Sequence, residues 1–158
     1  TAKDKSALAG AILARLPNAS PTLGRLSFSA PLIACTKCHS VRADIVKSGP
    51  LLSEIGTATQ PQYLVESILE PSKIIKTGFL SERIETRDDR EFTDLVQADG
   101  DRLTVIVSAN EKVALHLSQV KQRVPSTVSF MPEGLERAMT ESELADVVAY
   151  LVSLKAKP

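Results

Sequence analysis

Three residues with side chains suited to cofactor binding stand close together in the sequence: Cys35, Cys38 and His39. They form the pattern Cys-x-x-Cys-His, in which two thiols can make thioethers with the vinyl groups of one haem and the adjacent imidazole can reach its iron. The chain has only two cysteines and two histidines, and this pattern takes both cysteines. The sequence therefore predicts one covalent haem c per chain, attached through Cys35 and Cys38, with His39 as an iron ligand.

Two other kinds of site are compatible with the same residues. A dithiol redox pair of the thioredoxin type would need a strand directly before Cys35 within a βαβ unit, whereas a short helix and a loop are expected there. A zinc site would need four ligands. The cysteines and histidines available for it are those of the whole chain: Cys35, Cys38, His39 and His116. Both sites stay open as alternatives to haem.

An iron held by one histidine needs a second axial ligand, for which the chain offers Met131, Met139 and His116. Met131 is followed by Pro132, which stiffens the backbone, and shortly afterwards by Gly134, which permits an unusual turn. Because a thioether on such a rigid loop suits an axial position, Met131 is predicted to bind the iron. Met139 is expected to pack against other side chains, and His116 is expected to face solvent on a strand.

Helical patterns lie on both sides of the predicted haem motif. Apolar residues recur with helical spacing in four segments: residues 4–16, 20–29, 59–70 and 140–155. Ser20 is the expected N-cap of the second segment, in which Leu23 and Leu26 would form one apolar face. Thr140 and Glu143 form a predicted capping box at the start of the last segment.

The pattern changes between residues 78 and 124, where apolar residues alternate with polar ones. Four strands are expected: residues 79–86, 91–98, 103–108 and 113–120. The breaks between them include Asp99-Gly100, a strong hairpin signal, and Ala109-Asn110. The sequence therefore predicts a small antiparallel sheet inserted into a helical haem core that consists of residues 1–77 and 125–158. This β module could be a lid over the haem edge or a docking surface.

Five segments occur together in this chain: Cys-Thr-Lys-Cys-His at 35–39, Gly-Pro-Leu-Leu at 49–52, residues 63–75, Ser-Phe-Met-Pro-Glu-Gly-Leu at 129–135, and Leu-Ala-Asp-Val-Val-Ala-Tyr-Leu at 144–151. In combination they resemble class I cytochrome c, and more closely the haem-binding cytochrome domain of planctomycetes and verrucomicrobia. The resemblance implies a mainly α fold, with a cytochrome c-like helical haem core interrupted by the small antiparallel β module (α+β overall). It also implies that the Pro50 carbonyl accepts the other N–H of the axial histidine, and that Leu52 packs on the haem face.

The function implied by the resemblance is single-electron transfer rather than enzymatic catalysis. His39 and Met131 would fill both axial positions, which raises the reduction potential and leaves no open site for a substrate. The alternative is a haem-based ligand sensor or a peroxidase-like enzyme, which needs a labile sixth ligand. Members of the family often belong to larger secreted proteins. The expected partner is therefore a redox protein, or a fused dehydrogenase or β-propeller domain.

Composition limits the remaining possibilities. The 158 residues are 43% hydrophobic and 24% charged, which is typical of a folded globular chain. Nineteen basic and 19 acidic residues give no net charge, so nucleic acid is not an expected partner, and no apolar run reaches the roughly 20 residues of a membrane span. Bacteria attach haem to this motif after export, so a periplasmic or otherwise exported location is expected. The start at Thr1 without a signal segment fits a mature chain or a part of a longer protein.

Overall fold

The chain folds into two units, as seen in a computed structural model that describes residues 2–45, 47–108 and 110–156. The first unit combines Thr1–Lys73 with Pro132–Pro158, and the second is Ile74–Met131. Ala109, which is part of a predicted break between strands, lies outside the described residues. The helices belong to the first unit and the strands to the second.

The first unit is helical. Its helices are α1 (Ala2–Arg15), α2 (Pro21–Ser29), α3 (Cys35–Cys38), α4 (Ile55–Ala58), α5 (Pro61–Leu69) and α6 (Glu141–Ser153), with 3-10 turns at Leu16–Asn18 and Leu135–Ala138. The predicted capping box is confirmed, because the Thr140 hydroxyl accepts from the Glu143 N–H at 3.2 Å and the Glu143 carboxylate accepts from the Thr140 N–H at 2.8 Å. Among the described residues, no helix has the length and apolar character required to cross a membrane.

Helices α2 and α6 approach each other closely at Gly24. A Cβ atom at this position would lie only 1.8 Å from the carbonyl oxygen of Asp146, so the crossing requires glycine. The rings of Phe28 and Tyr150 pack edge to face across the same interface, with 5.5 Å between their centroids. Gly24 and Phe28 thus form the buried face of α2.

Leu23 and Leu26 lie on the predicted helix, but the face that they form is not the buried one. Leu23 and Leu26 are 53% and 61% exposed, on the side of α2 that the first unit does not cover. The buried face instead carries Gly24, which allows the backbone of α6 to approach closely, and Phe28, which packs against Tyr150. The N-cap prediction is confirmed, since the Ser20 hydroxyl accepts from the Leu23 N–H at 3.3 Å.

The second unit is one antiparallel sheet. Its strands are β1 (Leu80–Thr86), β2 (Glu91–Asp99), β3 (Arg102–Ile106), β4 (Lys112–His116) and β5 (Val120–Ser129), in the order β4-β3-β2-β1-β5. Side chains from all five strands form a hydrophobic cluster: Ile84, Val96, Leu103, Val105, Leu115 and Val120. The sheet therefore has its own core.

The fifth strand is absent from the sequence-based prediction. Strand β4 ends at His116, a 3-10 turn covers Leu117–Gln119, and β5 then pairs with β1 at the sheet edge. All side chains of β5 after Val120 are exposed or half-buried. An edge strand with little burial shows no apolar alternation, and Pro125 further weakens its strand signal.

The predicted fold class is wrong. The chain is α+β, with 40% helix and 24% strand, and a five-stranded sheet of this size is not part of a mainly α cytochrome c fold. The sequence pattern indicated a smaller β module, because it showed only the strands that bury one face. Burial on one face, rather than propensity, makes a strand visible in a sequence.

Candidate haem attachment site

The motif residues lie on a single helical turn, α3 (Cys35–Cys38). Ala34 precedes it with φ 58° and ψ 24°, a left-handed conformation that costs a non-glycine residue about 1 kcal/mol. The turn is closed by the His39 N–H, which donates to the carbonyl oxygen of Cys35 at 2.9 Å. Because residues three positions apart share a face of a helix, the two thiols are presented on the same side.

The ring of His39 is held by the loop that follows the motif. Its Nδ1 atom lies 2.8 Å from the carbonyl oxygen of Pro50. A carbonyl oxygen can only accept, so Nδ1 carries the proton and Nε2 keeps its lone pair. The structure thus contains the hydrogen bond between these two residues, while the role of that bond toward haem stays a prediction.

Electrostatics favour the neutral form of the same imidazole. Burial is the main cause that lowers the pKa of His39; the hydrogen bond to Pro50 opposes this effect, and the positive charge of Lys47 adds to it. A neutral imidazole with its proton fixed on Nδ1 is the form in which Nε2 can coordinate a metal. The structure thus favours a neutral His39 with a free lone pair on Nε2, while its role as an iron ligand stays a prediction.

Gly49 brings the loop into direct contact with the motif. Its N–H donates to the carbonyl oxygen of Cys38 at 2.7 Å, and a Cβ at Gly49 would lie 2.9 Å from that oxygen and 3.0 Å from Cε1 of His39. The loop closes a little further on, where the Leu52 N–H donates to the carbonyl oxygen of Ser40 at 2.8 Å. The Leu52 side chain is buried, and its predicted packing on a haem face stays a prediction.

Both cysteines are free and half-buried. Burial raises the pKa of the Cys35 thiol to about 11, with a smaller contribution from Cys38. Dithiol oxidoreductases work through a cysteine whose pKa is lowered instead. The raised pKa of Cys35 therefore gives no support to the dithiol alternative.

Two loop residues have features that the sequence did not indicate. The Lys47 ammonium donates to the carbonyl oxygen of Thr36, inside the helical turn of the motif. Ser48 is 6% exposed, and its hydroxyl has no hydrogen-bond partner within the described part of the chain. A buried hydroxyl needs a partner, so Ser48 could bind a polar group of a cofactor or a water molecule. No spacing or composition signal marks either residue.

The chain segments around the motif carry exposed apolar side chains, and these bear on whether haem fits here. Leu32, three residues before Cys35, is 89% exposed, and Leu23, Leu26 and Leu51 are also exposed. Haem is a large apolar group, and apolar surface on its protein favours its binding. Two free thiols, an imidazole with its proton on Nδ1 and exposed leucines are compatible with covalent haem, whose binding here stays a prediction.

The remaining candidate ligands lie on different structural elements. Met131 is the last residue of the second unit, where its N–H donates to the Ser129 hydroxyl at 3.1 Å. Met139 follows the 3-10 turn Leu135–Ala138 in the first unit. His116 is exposed at the end of β4, with Nδ1 2.7 Å from the Ser118 hydroxyl, as predicted for a solvent-facing histidine. The assignment of Met131 to the iron stays a prediction.

The described residues contain no group of three or more His, Cys, Asp or Glu side chains arranged to hold a metal ion. The four-ligand zinc alternative therefore gains no support from them. The features that the structure does bring together are the motif turn, the loop that follows it and the His39–Pro50 hydrogen bond. No protein-family model matches the chain, and no curated protein matches it.

Proposed function

We propose that this protein is a c-type cytochrome that transfers single electrons. Cys35 and Cys38 would hold one haem through thioether bonds, and His39 would bind its iron. The observation that carries the proposal is the 2.8 Å hydrogen bond from His39 Nδ1 to the Pro50 carbonyl, on a Cys-x-x-Cys-His turn with two free thiols. Haem iron, when bound, supplies the one-electron couple between its ferrous and ferric states.

The residues of the chain provide the surroundings for that couple. The Pro50 carbonyl fixes the orientation of the His39 ring and makes Nε2 a stronger donor. Gly49 lies so close to the Nδ1 side of the ring that a Cβ at this position would come within 3.1 Å of Nδ1. A ligand that is already neutral and oriented needs little rearrangement when the iron changes its oxidation state, which suits electron transfer.

We assign the sixth position to Met131, from the sequence prediction. With both axial positions filled, the iron has no site for a substrate, so the protein would exchange electrons with a redox protein or with a fused dehydrogenase or β-propeller domain. Haem attachment to this motif implies an exported, periplasmic location. The uncovered leucines and the buried Ser48 hydroxyl support a large cofactor with both apolar and polar parts at this turn.

The decisive experiment is an absorption spectrum of protein produced with a bacterial haem-maturation system. We expect a Soret band, sharp α and β bands after reduction with dithionite, and a weak far-red band of methionine ligation in the oxidised form. A pyridine haemochrome should indicate two thioether bonds, and the Cys35→Ala variant should indicate one. Purified, folded protein without a Soret band would contradict the proposal.

The same spectrum separates electron transfer from the ligand-sensor or peroxidase-like alternative. A low-spin, six-coordinate iron that does not bind carbon monoxide supports electron transfer. A high-spin iron in the unmodified protein, or rapid carbon monoxide binding, would favour an open or labile sixth position instead. The haemochrome measures attachment independently of the spin state, so the two questions are answered separately.

A further inference from the structure

Lys47 is hydrogen-bonded to the Cys-x-x-Cys-His turn, although the neighbouring sequence does not indicate a functional role for it. Its ammonium group donates to the carbonyl oxygen of Thr36, between the two cysteines. Two residues later the Gly49 N–H donates to the Cys38 carbonyl at 2.7 Å, and the next carbonyl, that of Pro50, accepts from His39. Residues 47–50 therefore touch the motif at three points, and Lys47 supplies the first of them.

The bond made by Lys47 differs from the other two because it carries a full charge. A backbone carbonyl compensates a lysine charge only in part, whereas Arg42 of the same loop is paired with the Asp44 carboxylate at 2.7 Å. Lys47 is half-buried, so solvent screens its charge less than that of an exposed lysine. After burial, the positive charge of Lys47 is a further cause that lowers the pKa of His39.

We propose that Lys47 is a positioning residue that holds residues 47–50 against the attachment turn and biases the bound iron toward the ferrous state. The inference rests on the proposed function, because it needs haem attached at Cys35 and Cys38. A fixed positive charge near the axial histidine disfavours the ferric state, which carries one more positive charge than the ferrous state. Loss of Lys47 should therefore lower the reduction potential and loosen the loop.

The test compares four variants of the haem-loaded protein. Lys47→Met removes both the donor and the charge at similar side-chain length, Lys47→Gln removes the charge but keeps an N–H donor, and Lys47→Arg keeps both. Lys37→Met is the matched control, because Lys37 lies in the same turn with an exposed side chain. The readouts are the reduction potential and the hydrogen exchange rate of the Gly49 amide in the diamagnetic ferrous protein.

We expect Lys47→Met and Lys47→Gln to lower the equilibrium constant for reduction of the iron by about three- to tenfold. This corresponds to a fall of about 28 to 59 mV in the one-electron reduction potential. The reduction potential of Lys47→Arg should stay close to that of the unmodified protein. Lys37→Met should shift the potential by less than Lys47→Met does. The Gly49 amide should exchange at least about threefold faster in Lys47→Met than in Lys47→Arg, because the adjacent tether is lost.

Equal potentials in Lys47→Met and the unmodified protein, or an equal shift in Lys37→Met, would overturn the inference. If Lys47→Met does not mature, the difference in reduction potential between Lys47→Gln and Lys47→Arg decides the effect of the charge. Lys47→Ala, which has no donor, then replaces Lys47→Met in the comparison of Gly49 amide exchange with Lys47→Arg and decides the effect of the tether. Failure of the proposed function gives a different result, because no variant and no unmodified protein would then carry haem. If haem is attached in all variants and their reduction potentials are unchanged, the role of Lys47 is contradicted and the proposed function is not.

Discussion

The Nδ1 atom of His39 donates to the carbonyl oxygen of Pro50 across a distance of 2.8 Å. This one bond fixes the tautomer, orients the ring and connects the motif to the loop that follows it. Proline suits the accepting position, because its ring fixes φ and so restricts the backbone beside the carbonyl. The loop is thus as much a part of the candidate site as the motif itself.

The contact between Gly49 and the His39 ring gives the first prediction. In Gly49→Ala, the new Cβ would come within 3.0 Å of Cε1 and 2.9 Å of the Cys38 carbonyl oxygen, so the ring or the loop must move. We expect a loss of about 1 to 3 kcal/mol in the free energy of unfolding and a weakened bond between His39 and Pro50. Chemical denaturation and the NMR shifts of the imidazole measure these two effects.

Gly10→Ala is the control for this substitution. Gly10 lies in α1 with no atom near its missing Cβ, and alanine is a better helix former by about 0.8 to 1 kcal/mol. The control should leave stability unchanged or increase it, and should not move the His39 signals. Equal effects of the two substitutions would show that the contact between loop and ring is not tight.

Local signals in the sequence anticipated much of the first unit. The Thr140–Glu143 capping box and the Ser20 cap involve neighbours in the chain, so their hydrogen bonds follow from spacing alone. The inward face of α2 did not follow, because a glycine at a helix crossing has no hydrophobic signal of its own. Contact with Asp146, distant in the chain, decides which face is buried.

The candidate site shows the same division between local and distant information. The Cys-x-x-Cys-His pattern is contiguous, and the sequence therefore identifies Cys35, Cys38 and His39 directly. Lys47 was missed because a lysine that donates to a backbone carbonyl leaves no pattern of residue types. Strand β5 was missed for a related reason, since its pairing with β1 is made by backbone atoms and its side chains remain largely exposed.

The raised pKa of Cys35 gives a prediction about thiol reactivity. A pKa of about 11, compared with 9.0 for an ordinary cysteine, leaves about a hundredfold less thiolate near pH 7.5. A more basic thiolate is the stronger nucleophile, which offsets part of the loss of thiolate. Alkylation of Cys35 should therefore be about tenfold slower than in the unfolded chain. The rate in the folded protein should continue to rise up to about pH 11.

Cys38→Ser protein made without haem maturation isolates this reaction, because Cys35 is then the remaining thiol. Circular dichroism first establishes that the protein is folded, and iodoacetamide labelling is then followed by mass spectrometry between pH 7 and pH 11. The same protein in concentrated urea is the reference. Equal rates with and without urea in protein that is folded in buffer would contradict the burial of this thiol.

The crossing of α2 and α6 gives a prediction about stability. In Gly24→Ala the added methyl group would overlap the backbone carbonyl of Asp146, which no side-chain rotation can relieve. We expect a loss of about 3 kcal/mol or more in the free energy of unfolding, and separation of Phe28 from Tyr150. Thermal denaturation followed by near-ultraviolet circular dichroism measures both. A melting temperature within a few degrees of the unmodified protein would contradict the packing at this position.

The sixth ligand gives the last prediction, which compares the only two methionines of the chain. If Met131 binds the iron, Met131→Ala leaves an axial position that water or carbon monoxide can occupy, because alanine has no donor atom. The oxidised protein should become high-spin, lose the far-red band and bind carbon monoxide after reduction. Its reduction potential should fall, because the methionine thioether is the ligand that raises it.

Met139→Ala is the matched control, since it removes the same side chain from the other position. Met139 follows the 3-10 turn Leu135–Ala138, and its loss should change stability rather than iron coordination. A low-spin spectrum retained in Met131→Ala and lost in Met139→Ala would transfer the ligand role to Met139. A low-spin spectrum in both variants would direct the search to His116, and a His116→Ala variant would then decide the ligand.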